Sequence, residues 1–125
     1  MPREIKFRAF TQDQMWSVTD INWTDNSCKI DVGLLNGELE SFREWLKNIE
    51  LMQYTGLKDK NGIEIYEGDI IKFLGYNALT EGNKEYISKV YFKDGEFKNT
   101  ANYYTESREV IGNIYENPEL LCQKK

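Results

Sequence analysis

Histidine is absent from the 125-residue chain, and this absence excludes several kinds of active site. Without an imidazole there is no Ser–His or Cys–His nucleophile pair and no histidine-containing zinc site. Cysteine is almost as scarce: Cys28 and Cys122 are too distant in sequence for a CxxC metal pair and too few for a disulfide framework. We expect both to be reduced packing thiols. An enzyme built from this sequence would depend on carboxylates, lysine, tyrosine or a lone thiol.

Long apolar runs and an excess of positive charge are also missing. No run approaches the roughly 18 apolar residues of a membrane span, and the start, Met1 to Lys6, is too polar for a signal peptide. We therefore expect a cytoplasmic protein. The 16 basic residues are outnumbered by 21 acidic ones, for a net charge of −5. This balance argues mildly against wholesale binding to nucleic acid phosphates, although a local basic patch is compatible with it.

The residues that are present suit one folded domain. Hydrophobic residues make up 40% of the chain and aromatic residues 14%, which is too apolar for a disordered protein. We predict a single domain over residues 1–125. A possible seam lies near Glu50, where a helix-bearing part meets a β-only part. Because no Pro/Gly/Ser-rich linker stands there, the two parts are expected to share a core.

Short alternating segments separated by turn residues predict a mainly β fold. In residues 4–9, for example, apolar and charged side chains alternate in the manner of a half-buried strand. Asn61–Gly62 and the turn at residues 93–96 predict two hairpins. The spacing favours an antiparallel barrel-like or rolled sheet. The predicted strands lie at residues 4–9, 15–18, 28–32, 51–54, 63–66, 69–73, 89–92, 97–98 and 109–115.

One helix and one helical turn are predicted beside these strands. Residues 41–49 place four apolar side chains at i, i+3, i+4 and i+7, and Ser41 with Glu44 forms a capping-box pattern. We expect this stripe to pack on the sheet. Asn117 and Pro118 predict a C-terminal helical turn as N-cap and first helical residue. Residues 75–88 lack periodicity, and the stretch 76–88 is predicted to be a long exposed loop and a candidate functional surface.

Four stretches together resemble the YopX family of phage and prophage proteins. They are REIKFRAF at residues 3–10, MQYTGLKDKNGIEIYEGDII at 52–71, VYFKDGEF at 90–97 and EVIGNIYENPELL at 109–121. The resemblance implies a mostly β, barrel-like domain in a bacterial host that associates with itself and has no established activity. It implies no catalytic residue and no cofactor.

Two motifs suggest chemistry, and both have simpler interpretations. Glu64, Glu67 and Asp69 are close enough in sequence to form an acid–base pair, but a tight turn into a strand accounts for them equally. Residues 58–62 alternate oxygen-bearing side chains before a glycine, as a calcium loop does, but lack its remaining ligands. We expect a hairpin tip there, and we predict no catalytic, metal or cofactor site.

Binding is the favoured function, because no catalytic set accompanies the many aromatic residues. The leading hypothesis is a non-enzymatic accessory protein that binds itself and a host or phage protein. The alternative is single-stranded nucleic acid binding through basic residues interleaved with Phe7 and Phe10; these are Arg3, Lys6, Arg8, Lys58, Lys60 and Lys72. A carboxylate-dependent enzyme is a third, less favoured hypothesis. The candidate binding surface consists of Arg8, Lys58, Lys60, Tyr103 and Tyr104.

Overall fold

A computed structural model of the protein describes residues 4–35, 38–101 and 104–122. Contacts between residues divide the chain into two compact units, Met1–Tyr54 and Thr55–Lys125. The division falls a few residues after the predicted seam at Glu50, and the single shared core stays a prediction. The two units are called the first and second unit below.

The first unit is an antiparallel sheet in the order β4-β3-β2-β1-β5. β1 is an interior strand, where Ala9 lies opposite Trp16 on one side and Leu51 on the other. Ala9, Cys28 and Ile49 are buried and form the centre of its core. The strands of this unit are β1 (Phe7–Thr11), β2 (Gln14–Asn22), β3 (Ser27–Leu35), β4 (Glu38–Trp45) and the first part of β5 (Glu50–Lys58).

The helix predicted at residues 41–49 is wrong. This segment is the end of β4, paired with β3 from Glu38 to Trp45, followed by a 3₁₀ turn at Leu46–Asn48. The carboxylate of Glu44, expected in a capping box, instead accepts hydrogen bonds from the Trp45 N–H at 2.9 Å and the Asn48 amide at 3.2 Å. Pairing with β3 satisfies the backbone along the whole strand, so this tertiary contact overrides a short helical pattern.

The second unit contains the rest of β5 and two further antiparallel sheets. One has the order β11-β7-β8 and the other is the hairpin of β9 and β10. Ile65, Ile71 and Val90 are fully buried at the centre of its core. Its other strands are β6 (Glu64–Tyr66), β7 (Asp69–Asn77), β8 (Gly82–Lys89), β9 (Tyr91–Lys93), β10 (Glu96–Lys98) and β11 (Glu109–Asn113). The described strands form open sheets, and no closed barrel is found among them.

The long loop predicted over residues 76–88 is also wrong, because most of it belongs to strands. β7 and β8 pair from Ile70 to Asn77, so only a short turn remains between Asn77 and Gly82. The Asn77 side chain accepts a hydrogen bond from the Leu79 N–H at 2.9 Å and closes this turn. The segment lacks apolar alternation because β8 is an edge strand that is half-exposed along much of its length.

The predicted hairpins are confirmed. β5 and β6 are neighbours across a loop in which Gly62 has a φ of 82°, and β9 and β10 turn through Asp94 and Gly95, whose φ values are 54° and 80°. Positive φ at both central residues is the signature of a type I′ turn. The C-terminal turn is a 3₁₀ helix at Pro118–Cys122.

Candidate functional site

A buried arginine holds the second unit together close to β11. Only 5% of Arg108 is exposed. Its Nε and Nη2 donate to the carbonyl of Lys58 at 3.1 and 2.7 Å, and its Nη1 donates to the carbonyl of Thr100 at 3.2 Å. One guanidinium therefore joins the end of β5, the segment after β10 and the start of β11.

Asp59 completes this arrangement from the hairpin loop. Its Oδ1 accepts the N–H groups of Asn61 and Ile63 at 2.8 and 2.9 Å, and its Oδ2 accepts the N–H of Val110 at 2.9 Å. Burial alone would raise the pKa of Asp59, but these hydrogen bonds and the positive charge of Arg108 outweigh it and lower the pKa below its ordinary value. Both oxygens are engaged by backbone, which fits the predicted hairpin tip.

These contacts close one edge of the three-stranded sheet. The N–H of Val110 and the carbonyl of Arg108 point away from β7, and the hairpin loop bonds both groups. The Val110 N–H donates to Asp59, and the Lys60 N–H donates to the Arg108 carbonyl at 3.0 Å. An edge strand whose polar groups are bonded in this way offers no template for a further strand. The outer side of β11 is therefore covered.

The opposite edge, β8, pairs with no further strand among the described residues, and the C-terminal 3₁₀ helix lies close to it. The Val90 N–H donates to the Asp69 carbonyl, so the backbone groups of Val90 face β7. Backbone groups alternate in direction along a strand, so every second residue of β8 before Val90 also faces β7. The residues between them, Asn83, Glu85 and Ile87, direct their backbone groups away from β7. Asn99 covers the end of the strand through a bond of 3.2 Å to the Lys89 carbonyl. Within the described residues, no strand pairs with the outer side of β8.

A row of aromatic rings crosses the sheet and ends at this open edge. Phe73 stacks on Tyr104 with ring centres 5.3 Å apart and on Tyr86 with ring centres 5.6 Å apart. Gly75 leaves room for the last ring, since a Cβ there would lie 2.9 Å from the Tyr86 side chain. The ammonium of Lys84 lies 5.6 Å from the centre of the Tyr86 ring.

A cleft of about 480 Å³ lies along β7 beyond the end of its pairing with β11. On the side of β7 that faces away from β8, the Leu74 N–H donates to the hydroxyl of Ser107 at 3.0 Å. The backbone of Leu74 is therefore bonded by a side chain and not by a strand. Leu74 and Tyr76 are 49% and 59% exposed. The cleft is lined by Leu74, Tyr76, Asn83, Tyr104, Thr105, Glu106 and Ser107.

The predicted basic residues of the second unit lie among carboxylates. Lys60 is 3.7 Å from Glu109, and Lys72 is 3.7 Å from Glu85 and 3.9 Å from the same Glu109. Lys58 contributes its backbone carbonyl to Arg108, and its side chain is exposed. This alternation of charges does not form a basic patch.

Arg8 and Lys6 belong to the first unit, whereas Lys58 and Lys60 belong to the second. Arg8 is half-buried on β1. Lys6 is 3.6 Å from Glu4, and its ammonium lies 5.4 Å from the centre of the Tyr54 ring.

Of the predicted tyrosine pair, Tyr104 is half-buried in the aromatic row, while Tyr103 lies outside the described residues, as does Arg3. No local sequence pattern indicated the β8 edge or the cleft beside it. Both arise from β7–β8 pairing in a segment that reads as a loop.

The predicted acid pair forms part of a turn. Asp69 is 1% exposed, and its Oδ2 accepts the N–H of Tyr66 at 2.8 Å. Glu64 accepts the Tyr66 hydroxyl at 3.3 Å. Within residues 4–35, 38–101 and 104–122, no three cysteine or carboxylate side chains are placed to hold a metal ion. In the same residues, no helix has the length and apolarity needed to cross a membrane.

Comparison with known proteins places the chain in a family. A crystal structure of protein EF1440 from Enterococcus faecalis is similar with a TM-score of 0.66 and 29% identity, over 96% of this chain and 99% of that one. No curated protein is significantly similar to the chain. The sequence profile of the YopX protein family matches residues 6–122, which is nearly the whole chain. The protein therefore belongs to the YopX family.

Proposed function

We propose that this protein is a non-enzymatic phage or prophage accessory protein that binds a second copy of itself through the edge strand β8. The observation that carries the proposal is the asymmetry of the three-stranded sheet. The outer side of β11 is bonded by Asp59 and Lys60, whereas no described strand pairs with the outer side of β8. An open edge of this kind pairs readily with another strand.

Symmetry selects the register of such a pair. Two copies of β8 related by a two-fold axis run antiparallel, and the residue at the axis faces itself. An axis at Glu85 or Lys84 would place like charges opposite each other, which is unfavourable. An axis at Ile87 would pair Glu85 with Lys89 of the second copy, and that pair would need the Lys89 carbonyl, which the Asn99 side chain already bonds. An axis at Tyr86 places no like charges at the axis, and its two central pairs, each Glu85 with Ile87 of the second copy, do not use the Lys89 carbonyl.

In the register centred on Tyr86, each Glu85 lies opposite Ile87 of the second copy, and these outward-facing pairs exchange backbone hydrogen bonds. The two Tyr86 rings meet at the axis, so the aromatic row of one copy continues into the other. Glu85 has two diagonal neighbours in the second copy, Lys89 of opposite charge and Glu85 of like charge. Backbone and aromatic contacts thus favour the same register.

The proposal is tested with Glu85→Pro and its matched control Glu85→Thr. Both lose the exposed ion pair with Lys72, but only proline removes the outward N–H, and it does so without breaking a bond to β7. We expect proline to weaken the dimer about tenfold or more relative to threonine. The measurement is sedimentation equilibrium over about 1 to 500 µM protein, the range suited to a small interface. Circular dichroism checks that both variants fold.

A strictly monomeric wild-type protein over that range would overturn the proposal. Equal association of the proline and threonine variants would show that β8 is not the interface.

Single-stranded nucleic acid binding is less well supported, because Lys60 and Lys72 are each within 4 Å of a carboxylate oxygen. Binding of a fluorescent oligothymidylate that weakens steeply with salt, and is reduced by Lys60→Glu, would favour that alternative.

A further inference from the structure

The cleft along β7 is a second surface, which adjoins the β8 edge at Asn83. Its geometry points to a partner protein: we propose that it binds an extended peptide segment carrying an arginine or lysine side chain. The argument rests on the backbone of β7, on the two aromatic side chains of the cleft and on one carboxylate. It does not depend on self-association through β8.

The backbone of β7 provides the first step. Because the Leu74 N–H bonds Ser107 on the side away from β8, the alternate residue Tyr76 directs its N–H and carbonyl to the same side. β11 ends its pairing at Lys72, and no described strand continues along Tyr76. An extended peptide is the kind of ligand that satisfies such groups, by adding a short strand to the edge.

The side chains provide the second step. Tyr76 is 59% exposed, and Tyr104, which shares the cleft with it, is held in place by stacking on Phe73. Tyrosine rings offer a large apolar surface at low cost in conformational entropy and are enriched in protein-binding surfaces. Guanidinium and ammonium groups are attracted to the faces of such rings.

The charge of the cleft provides the third step. Glu106 makes no ion pair or hydrogen bond with any described residue, whereas the nearby Glu85 and Glu109 are both close to Lys72. A carboxylate beside two tyrosines complements a basic side chain and repels phosphate. These features favour a basic peptide over an acidic peptide or a nucleic acid strand.

The test uses three capped hexapeptides. The first alternates valine and arginine, the second has glutamate in place of arginine, and the third repeats the first with methylated amides along one edge so that it cannot pair with a strand. Binding to the full-length protein is measured by isothermal titration calorimetry, and chemical shifts of the Tyr76 and Glu106 amides locate the site. We expect binding of the first peptide only.

Two charge reversals separate a specific site from general attraction to an acidic protein. Glu106→Lys and Glu119→Lys change the net charge equally, and Glu119 is an exposed residue outside the cleft. We expect the first to weaken binding of the arginine peptide about tenfold and the second to change it less than twofold. Tyr76→Ala is expected to weaken binding about threefold to tenfold.

Equal effects of Glu106→Lys and Glu119→Lys would overturn the inference, as would undiminished binding of the methylated peptide. Loss of self-association by Tyr76→Ala, seen in sedimentation, would show instead that a second copy occupies the cleft. Binding of oligothymidylate that displaces the peptide would show that nucleic acid occupies it. Failure of these tests leaves the β8 proposal standing, because Glu85→Pro changes the opposite edge of the β7–β8 hairpin.

Discussion

Replacing Asp59 by asparagine tests the polar cluster that closes the β11 edge. The substitution keeps the size of the side chain but removes its charge and turns one of its oxygens into a donor. If the amide oxygen stays on Asn61 and Ile63, the new NH₂ group faces the N–H of Val110, and two donors meet. At least one charged hydrogen bond is therefore lost in either orientation of the amide.

The cost follows from the contacts that are lost. A hydrogen bond to a charged group contributes about 1.5–3 kcal/mol, and a buried donor left unbonded costs about 1–3 kcal/mol. Asp59 is 7% exposed and Arg108 5%, so solvent screens their attraction only weakly. We expect Asp59→Asn to lower the free energy of unfolding by about 2–4 kcal/mol at pH 7. Asp94→Asn, at an exposed turn residue, is the matched control and should change it by less than about 0.5 kcal/mol.

The pH dependence gives a second, independent signature. The pKa of Asp59 is lowered in the folded protein, so its contribution to stability is complete above the unfolded pKa of about 3.9 and is lost as the pH falls through the folded value. The gap between wild type and Asp59→Asn should therefore be constant near neutral pH and shrink below about pH 4.

The assay must report on the unit that contains Asp59. All three tryptophans, Trp16, Trp23 and Trp45, lie in the first unit, so their fluorescence does not report directly on Asp59. Urea unfolding is therefore followed by far-ultraviolet circular dichroism, with amide hydrogen exchange of Val110 as the local probe. A stability gap below about 0.5 kcal/mol at pH 7, or one that persists undiminished at pH 2.5, would refute the reasoning.

Two further predictions concern a tight turn and the thiols. Gly112→Ala places a Cβ 2.5 Å from Oδ1 of Asn117 and should destabilise the protein by about 1–3 kcal/mol in urea unfolding, whereas Gly82→Ala, with space around it, should be nearly neutral. Burial raises the pKa of Cys28 and hides its side chain, while Cys122 is exposed, so Ellman's reagent should label one thiol in the native protein and two in urea. Labelling of both thiols at equal rates in the native protein would contradict the burial of Cys28.

Local patterns predicted much of the β structure, because each strand or turn carried its own signal. The alternation of residues 4–9 indicated β1, and the Asp94–Gly95 turn indicated the β9–β10 hairpin. Asn117 and Pro118 indicated the C-terminal helical turn, although the side chain of Asn117 bonds the N–H of Asn113 at 3.2 Å rather than capping that turn. The structure at these places depends on residues close in sequence.

The predictions failed where distant contacts decide the conformation. Residues 41–45 carry a helical pattern, yet β3 pairs with them and makes them a strand. The Arg108 guanidinium bonds Lys58 from 50 residues away, and nothing in a single sequence marks that pair. Stacking of Phe73 on Tyr104 is likewise set by tertiary structure. Tyr104, one of the predicted surface residues, lines the β7 cleft, but no local sequence pattern indicated the sheet edges beside it.

The two edge strands of the β11-β7-β8 sheet, β11 and β8, differ in how their outer sides are covered. Covering β11 requires a buried arginine and a buried carboxylate, and burial of charged groups is costly unless every bond is made. No described strand pairs with the outer side of β8, although the C-terminal 3₁₀ helix lies close to it, and the two central charges of β8, Lys84 and Glu85, are of opposite sign. A protein that only needed to avoid aggregation would gain from like charges or a proline there. The proposed self-association through β8 would account for this difference between the two edges.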